Sequence, residues 1–344
     1  MSPRVNVEAY LERIGYRGGR EPTAANLAAL VKAHRFAVPY ETLDLWRRRT
    51  TTLKLDEIYD KVVTRRRGGY CFELNGLFAW LLRELGYNVR EYFGRWTFGE
   101  PPSPALMRRH RVVCVAIAGR PNQIVDVGIG LPLLLSPLDF VFGEPQVRDG
   151  RRYRIVRDPT FGAAVELEAK GEWTRLFSFD TAPQLSVDFE YAHWWCETHP
   201  ASCFLSSLWV YRPLAGGGAV SISQEEDPER PGSGEKVPVL MRFDGRGGVV
   251  RTALRDETAL AAALLADFGI EENGREVSDM NAANLSRKSV TASGEAESFG
   301  SSKYLVEPVA SVPSADTQKP ATSPSGFAAE MTRCHTRLKA AFVF

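Results

Sequence analysis

The stretch RRRGGYCFELNGLFAWLL, residues 65–82, sets one cysteine between a glycine pair and an amphipathic run. Free cysteine is among the most buried residue types, so Cys71 reads first as a small core residue. A second reading is a nucleophile. The run after Cys71 carries Leu74, Leu77, Phe78, Leu81, Leu82 and Leu85 at helical spacing and stops at Gly86. The thiol therefore sits at a helix N-terminus, where the macrodipole favours an anion. Helix N-termini and a protonated histidine both lower a cysteine pKa and expose the reactive thiolate. Gly68 and Gly69 let the backbone approach a ligand closely and leave amide N–H groups free for a developing oxyanion.

A nucleophilic cysteine needs a base, and the base needs an orienting group. The chain has five histidines. His110 opens a strand-like run, HRVVCVAIAG. The next run, QIVDVGIG, carries Asp126 between two valines. A carboxylate flanked by apolar residues is costly to bury without a partner, and an Asp–His pair supplies one while fixing the imidazole tautomer. A tight hairpin turning at 119–122 sets Asp126 opposite Cys114 or Val115. Contact with His110 then requires a diagonal approach, a bulge or a different turn.

The elements that must position these residues follow from periodicity. Val7, Tyr10, Leu11 and Ile14 share one helical face, and Thr23 is the expected N-cap of PTAANLAALVKAH. LDEIYDKVVTRRR has acids early and arginines late, as a helix dipole prefers. From Asn88 the pattern becomes short β-like runs between Gly, Pro and Asn turns, with further strands at LWVYRPL, AVSIS, VPVLMRF and GVVRTAL. DETALAAALLADFGI closes with a helix. Residues 274–344, rich in Ser, Ala, Thr and Pro, lack the apolar content for a core and read as a largely disordered tail.

Composition excludes several function classes. The 344 residues carry a net charge of +1, which gives no global field toward nucleic acid or membrane. No apolar run reaches the ~18 residues of a membrane span, and the N-terminus has no signal-peptide core. The odd, scattered set Cys71, Cys114, Cys196, Cys203 and Cys334 fits reduced thiols in the cytoplasm.

RRRGGYCFELN resembles the active-site segment of the arylamine N-acetyltransferases, R-G-G-[FY]-C-[FYL]-E-x-N. FAVPYETLDL, HRVVCVAIAGRPNQIVDVGIG and DFEYAHWWCETHPASCFLSSLWVYRP resemble three further family segments in the same order, and LADFGI resembles the family's end. The resemblance covers about residues 6–273. It implies an α+β fold: a helical bundle (1–87), a β-barrel (88–200) and an α/β lid (201–273) with a papain/transglutaminase-like thiol-enzyme core. It implies the triad Cys71, His110 and Asp126, and ping-pong transfer of an acetyl, malonyl or related group from acyl-CoA to an arylamine, arylhydrazine or arylhydroxylamine. Acyl-CoA is then a co-substrate, no cofactor is bound permanently, and neither nucleic acid nor membrane is a partner. Gly128, Gly130 and Arg66 are the expected CoA contacts, and Tyr70, Phe72, Phe93 and Ile129 the expected acceptor pocket.

The chain departs from the family pattern at Ile129, where Phe is frequent, and at YETL in place of FENL; Glu41 is expected to pair with Arg67. A thiol hydrolase with the same triad and a binding protein without catalysis are the rival readings. His193, Cys196, His199 and Cys203 have the residue types of a zinc site, but their spacing matches no familiar module, and a loop packed beside the active site is the preferred reading. The arginine runs 47–49 and 65–67 read as solvated faces, apart from the roles given to Arg66 and Arg67.

Overall fold

The computed structural model describes residues 5–98, 106–130 and 134–272; the tail reading over 274–344 lies outside them. Helices come first. Asn6 and Thr23 accept from the backbone N–H three residues on and start α1 (Val7–Arg13) and α2 (Ala24–Ala37). A short strand β1 (Tyr40–Glu41), α3 (Leu43–Trp46), and α4 (Leu55–Tyr59) with a π-helical turn over Asp60–Thr64 lead to α5 (Cys71–Glu84). The apolar face of α5 packs with Tyr10, Leu27, Leu30, Val31 and Val62 in one core.

Eight strands follow: β2 (Asn88–Trp96), β3 (His110–Ala116), β4 (Gln123–Val125), β5 (Leu138–Asp139), β6 (Gln146–Arg148), β7 (Arg151–Asp158), β8 (Gly162–Ala169) and β9 (Glu172–Phe179). Their order is β5-β4-β3-β2-β9-β8-β7-β6, with every pairing antiparallel. The two edges meet through side chains of β6. Gln146 on β6 accepts from the Asp139 N–H (2.8 Å) and donates to the Asp139 carbonyl (2.7 Å) on β5. Arg148 adds bonds to Pro137 and Asp139. The sheet is thereby a nearly closed barrel, which leaves little free strand edge.

Strand β3 explains its own sequence. Val112 and Cys114 point into the barrel core, while Val113 and Val115 point into the helical core. A strand buried on both faces has no polar alternation, which is why residues 112–117 read as one apolar run.

After the barrel come α6 (Glu190–Thr198), α7 (Cys203–Ser206), and strands β10 (Trp209–Pro213), β11 (Ala219–Glu226), β12 (Lys236–Phe243) and β13 (Val249–Ala253). These form a second antiparallel sheet whose first strand is β1, so residues 40–41 reach across to a sheet otherwise built after residue 208. Helix α8 (Glu257–Ala263) and a π-helical turn over Leu264–Phe268 cover one face of it and end at Gly269 in the left-handed region. No helix among the described residues is long and apolar enough to cross a membrane.

The expected Glu41–Arg67 pair is present and belongs to something larger. Arg67 donates to Glu41 (2.8 and 3.1 Å) and Asp44 (3.2 Å), and Lys61 sits 2.7 Å from Asp44 and 2.8 Å from Glu73. All but Asp44 are buried. Of the run 65–67, Arg65 and Arg66 are exposed as expected for a solvated face, whereas Arg67 is inside. Burial raises the Asp44 carboxyl, but the Lys61 and Arg67 charges outweigh it and hold it well below the usual carboxylate range. Removing one partner strands the others in a low-dielectric site, so Glu41→Gln and Arg67→Met should each cost about 3–5 kcal/mol of unfolding free energy. Denaturant unfolding of both single variants and the double variant should show the double losing much less than the sum; strictly additive losses would mean the two charges do not act on each other.

Candidate active site

Cys71 is the first residue of α5 and is 3 % exposed. Its position is set from behind. Lys61 bonds one oxygen of Glu73, and the other oxygen of Glu73 accepts the Tyr70 N–H at 3.0 Å. The helix start is therefore tied to the charge cluster by its own third residue. In front, the thiol donates to the carbonyl of Arg109 (3.6 Å), the residue before His110. Gly128 lies against the same cysteine: a Cβ built there would fall 2.7 Å from the Cys71 α-carbon and 2.9 Å from Asn75 Nδ2. Only glycine allows that approach.

His110 begins β3 opposite Gly94, with its ring between Trp96 (5.7 Å) and Phe177 (5.3 Å). Its Nε2 lies 2.5 Å from Asp126 Oδ2. The hairpin register pairs Val113 with Val125, Cys114 with Ile124 and Val115 with Gln123. Continued by one residue, it places Asp126 opposite Val112, not Cys114 or Val115 as a tight turn at 119–122 requires. The connection between β3 and β4 runs over residues 117–122, and this longer loop shifts the register. His110 and Asp126 then lie on one face two residues apart and meet on the diagonal, within reach of an imidazole.

Asp126 is held on its other oxygen by Asn75 Nδ2 (2.8 Å) and the Gly128 N–H (2.9 Å). Asn75 also donates to the Arg111 carbonyl (2.6 Å) and accepts from the N–H groups of Val127 and Gly128 (2.9 and 3.2 Å). Arg35 on α2 donates to the carbonyls of Val127 and Ile129. One helix turn thus carries both the thiol and the residue that fixes the carboxylate.

These contacts fix the tautomer. With Nε2 bonded to Asp126, the imidazole has Nδ1 left to exchange a proton with a neighbouring group. Burial pushes the Cys71 thiol well above its ordinary value, and Cys196 and Asp126 push the same way, against backbone N–H groups of Arg111 and Phe72. The favourable field of the helix terminus is therefore outweighed by burial. Desolvation is the largest cause, and it opposes the thiolate.

The structure brings Cys71, His110, Asp126 and Gly128 together. Gly130 faces the Tyr40 ring, 2.8 Å from a built Cβ. Tyr70 is buried with its hydroxyl on His193 Nδ1 and its ring edge-on to Phe72 and Phe204. Phe72 packs against Phe189, Phe93 against Phe189 and Tyr191, and Ile129 in the barrel core. Arg66 is exposed, and its carbonyl accepts from Arg13. Three of the residues weighed as zinc ligands have other contacts: His193 also contacts Thr51 (3.3 Å), His199 stacks on Trp195 (4.7 Å), and Cys203 faces Arg109 (3.8 Å); Cys196 is a buried free thiol. Among the described residues no three His, Cys, Asp or Glu side chains are grouped to hold a metal ion.

Sequence reasoning gave no role to Asn75, Lys61 or Arg35. Asn75 had a signal, since i and i+4 share a helix face. Lys61 and Arg35 had none, because their partners come from distant segments.

With burial and the Asp126 charge opposing ionisation, removing the imidazole leaves little to favour the thiolate. Iodoacetamide labelling of Cys71 across pH should show a higher midpoint in His110→Asn than in the unmodified protein, with slower labelling at pH 7. An unchanged or lower midpoint would mean His110 does not act on the thiol.

A family model described as N-acetyltransferase matches residues 23–271. An arylamine N-acetyltransferase of Mycolicibacterium smegmatis is 37 % identical over 214 residues, covering 60 % of this chain and 76 % of the relative. One from Escherichia coli strain K12 is 32 % identical over 270 residues, covering 78 % and 90 %. The structure of Mycobacterium marinum arylamine N-acetyltransferase in complex with CoA superposes with a TM-score of 0.66 at 31 % identity, covering 80 % of this chain and 94 % of that one.

Proposed function

Because the chain belongs to the arylamine N-acetyltransferase family, we propose that this acetyltransferase moves an acetyl, malonyl or related acyl group from CoA to arylamines, arylhydrazines or arylhydroxylamines through a thioester on Cys71. The observation that carries the mechanism is the bonded chain Cys71–Arg109 carbonyl, His110–Asp126–Asn75, which returns to the helix bearing the thiol.

In the first half-reaction His110, through Nδ1, takes the Cys71 proton. The thiolate attacks the acyl-CoA carbonyl, the C–S bond to CoA breaks, and the imidazolium returns the proton to the departing CoA thiolate. In the second, the amine attacks the thioester carbon. His110 takes the amine proton, the C–S bond to Cys71 breaks, the imidazolium returns the proton to the Cys71 thiolate, and the amide leaves. Asp126 stabilises the imidazolium in both halves without itself taking the proton. Two thioester-level steps replace one direct aminolysis.

In this reading Gly128, Gly130 and Arg66 contact CoA, and Tyr70, Phe72, Phe93 and Ile129 shape the acceptor pocket. The helices through residue 87 present the nucleophile and the barrel through 200 the base. The segment 201–273 acts as the lid of a papain/transglutaminase-like core. The work is cytoplasmic, where thiols stay reduced.

Intact mass of the protein mixed briefly with acetyl-CoA or malonyl-CoA, without amine, should show a single acyl adduct. The adduct should be absent in Cys71→Ala and lost on adding an arylamine. No adduct with either donor, on folded protein, would favour the hydrolase or binding-protein readings.

A further inference from the structure

Helix α6 and the 3₁₀ turn before it (Ser186–Phe189) are apolar on two faces, and the fold covers one. Phe189, Ala192 and Cys196 point into the helical core. On the other side Val187, Tyr191 and Trp194 recur at i, i+4 and i+7, with Leu185 beside them. These side chains are 67 %, 56 %, 62 % and 72 % exposed, in that order. Single exposed apolar residues are ordinary, but a row of four large ones marks a contact surface. The row has an acidic border. Residues 180–198 carry Asp180, Asp188, Glu190 and Glu197 and no lysine or arginine. Asp180 pairs with Arg108 (3.2 Å), and Glu197 accepts the Thr51 N–H (2.6 Å). Asp188 accepts the Leu185 N–H (2.6 Å), and Glu190 stays exposed at the head of α6, so both carboxylates flank the stripe.

We propose that residues 331–344 of the same chain dock on this stripe as an amphipathic helix. They lie outside the described residues, and the argument for them is their sequence, MTRCHTRLKAAFVF. Met331, Cys334, Leu338 and the pair Ala341–Phe342 recur at i, i+3, i+7 and i+10/i+11, which sets them on one helical face. Arg333, Arg337 and Lys339 are the charged side chains, with no acid among them. Arg333 and Arg337 stand at i, i+4 and repel each other, and so short a helix is marginal in water by itself. Its apolar row needs a surface to bury it and its cations need carboxylates. The face of α6 offers both, an apolar row with Glu190 and Asp188 at its side. Residues 273–330 hold no rival of this pattern, since their longest apolar stretch, YLVEPV, is broken by Pro308. A random chain of the length of residues 273–330 has a root-mean-square span of about 40 Å, enough to reach α6 from residue 272. Tethering also holds the segment at an effective concentration on the order of millimolar, which favours it over an untethered occupant.

The test is amide hydrogen exchange of residues 331–344 in the full chain, compared with Leu338→Asp on the docking segment and Val187→Lys on the stripe. In the unmodified protein these amides should exchange at least about tenfold more slowly than in either variant. Arg337→Glu should also lose protection, and adding Glu190→Arg to it should restore part. Carbodiimide, which joins an amine to a touching carboxylate, should link Lys339 to Glu190 or Asp188 within one chain. Exchange of 331–344 at the rate of an unstructured peptide in the unmodified protein would overturn the proposal. Protection that survives Val187→Lys, or Lys339 cross-links confined to another face, would do the same by placing the segment elsewhere. Protection that grows with protein concentration, together with a dimer in sedimentation, would give the stripe to a second copy of the chain. Leu338→Asp and Arg337→Glu alter nothing in the cores described above, so the comparison holds even if Val187→Lys fails to fold.

Discussion

A lysine and an arginine buried with two glutamates, beside Asp44, decide where the Cys71 sulfur sits. Lys61 lies within 4 Å of Glu41, Asp44 and Glu73 and Arg67 within 4 Å of Glu41 and Asp44, the five drawn from a strand, three helical segments and the glycine turn. Isolated, any of these charges would be costly to desolvate; together they satisfy one another, and that mutual requirement fixes the geometry of every segment that supplies one. Glu73 passes the constraint on. It is bonded to Lys61 on one oxygen and to the Tyr70 N–H on the other, so the backbone at residue 70 cannot shift without disturbing the cluster. Cys71 follows directly.

The barrel supplies the opposite wall. Its register is pinned by β3, which is buried on both faces and so tolerates no one-residue slip. That register, together with the six-residue connection 117–122, is what puts Asp126 on the diagonal from His110. Asn75 then joins wall to helix with four hydrogen bonds. In the proposed mechanism this bridge matters as much as the three reacting residues, because it is what keeps the imidazole in one tautomer while the proton moves.

Much of this was legible in the sequence, and for identifiable reasons. The glycine pair, the lone thiol and the leucine spacing after it describe α5 almost to the residue, and β2 and β3 begin at Asn88 and His110, where the strand-like runs were read to begin. Asp126 announced itself as a carboxylate between valines. What was hidden depended on distant partners. Strand β1 is two residues long and forms only because β10 lies beside it. Lys61 reads as an ordinary late-helix cation until Glu73 and Asp44 surround it. Both sequence readings of Cys71, a buried core thiol and a residue at a helix terminus, hold in the structure, but which of the two dominates the thiol's ionisation needed the packing around it.

The central claim is that the buried charge cluster, acting through Glu73, positions Cys71 for acylation. The most direct test is the burst rate of Cys71 acylation by acetyl-CoA in Glu73→Gln, with folding checked by cooperative denaturant unfolding. A displacement of the helix start by even a fraction of an ångström should slow the burst by at least about tenfold in a protein that still unfolds cooperatively. A burst at the unmodified rate in that folded variant would contradict the claim and leave the cluster a role in stability alone.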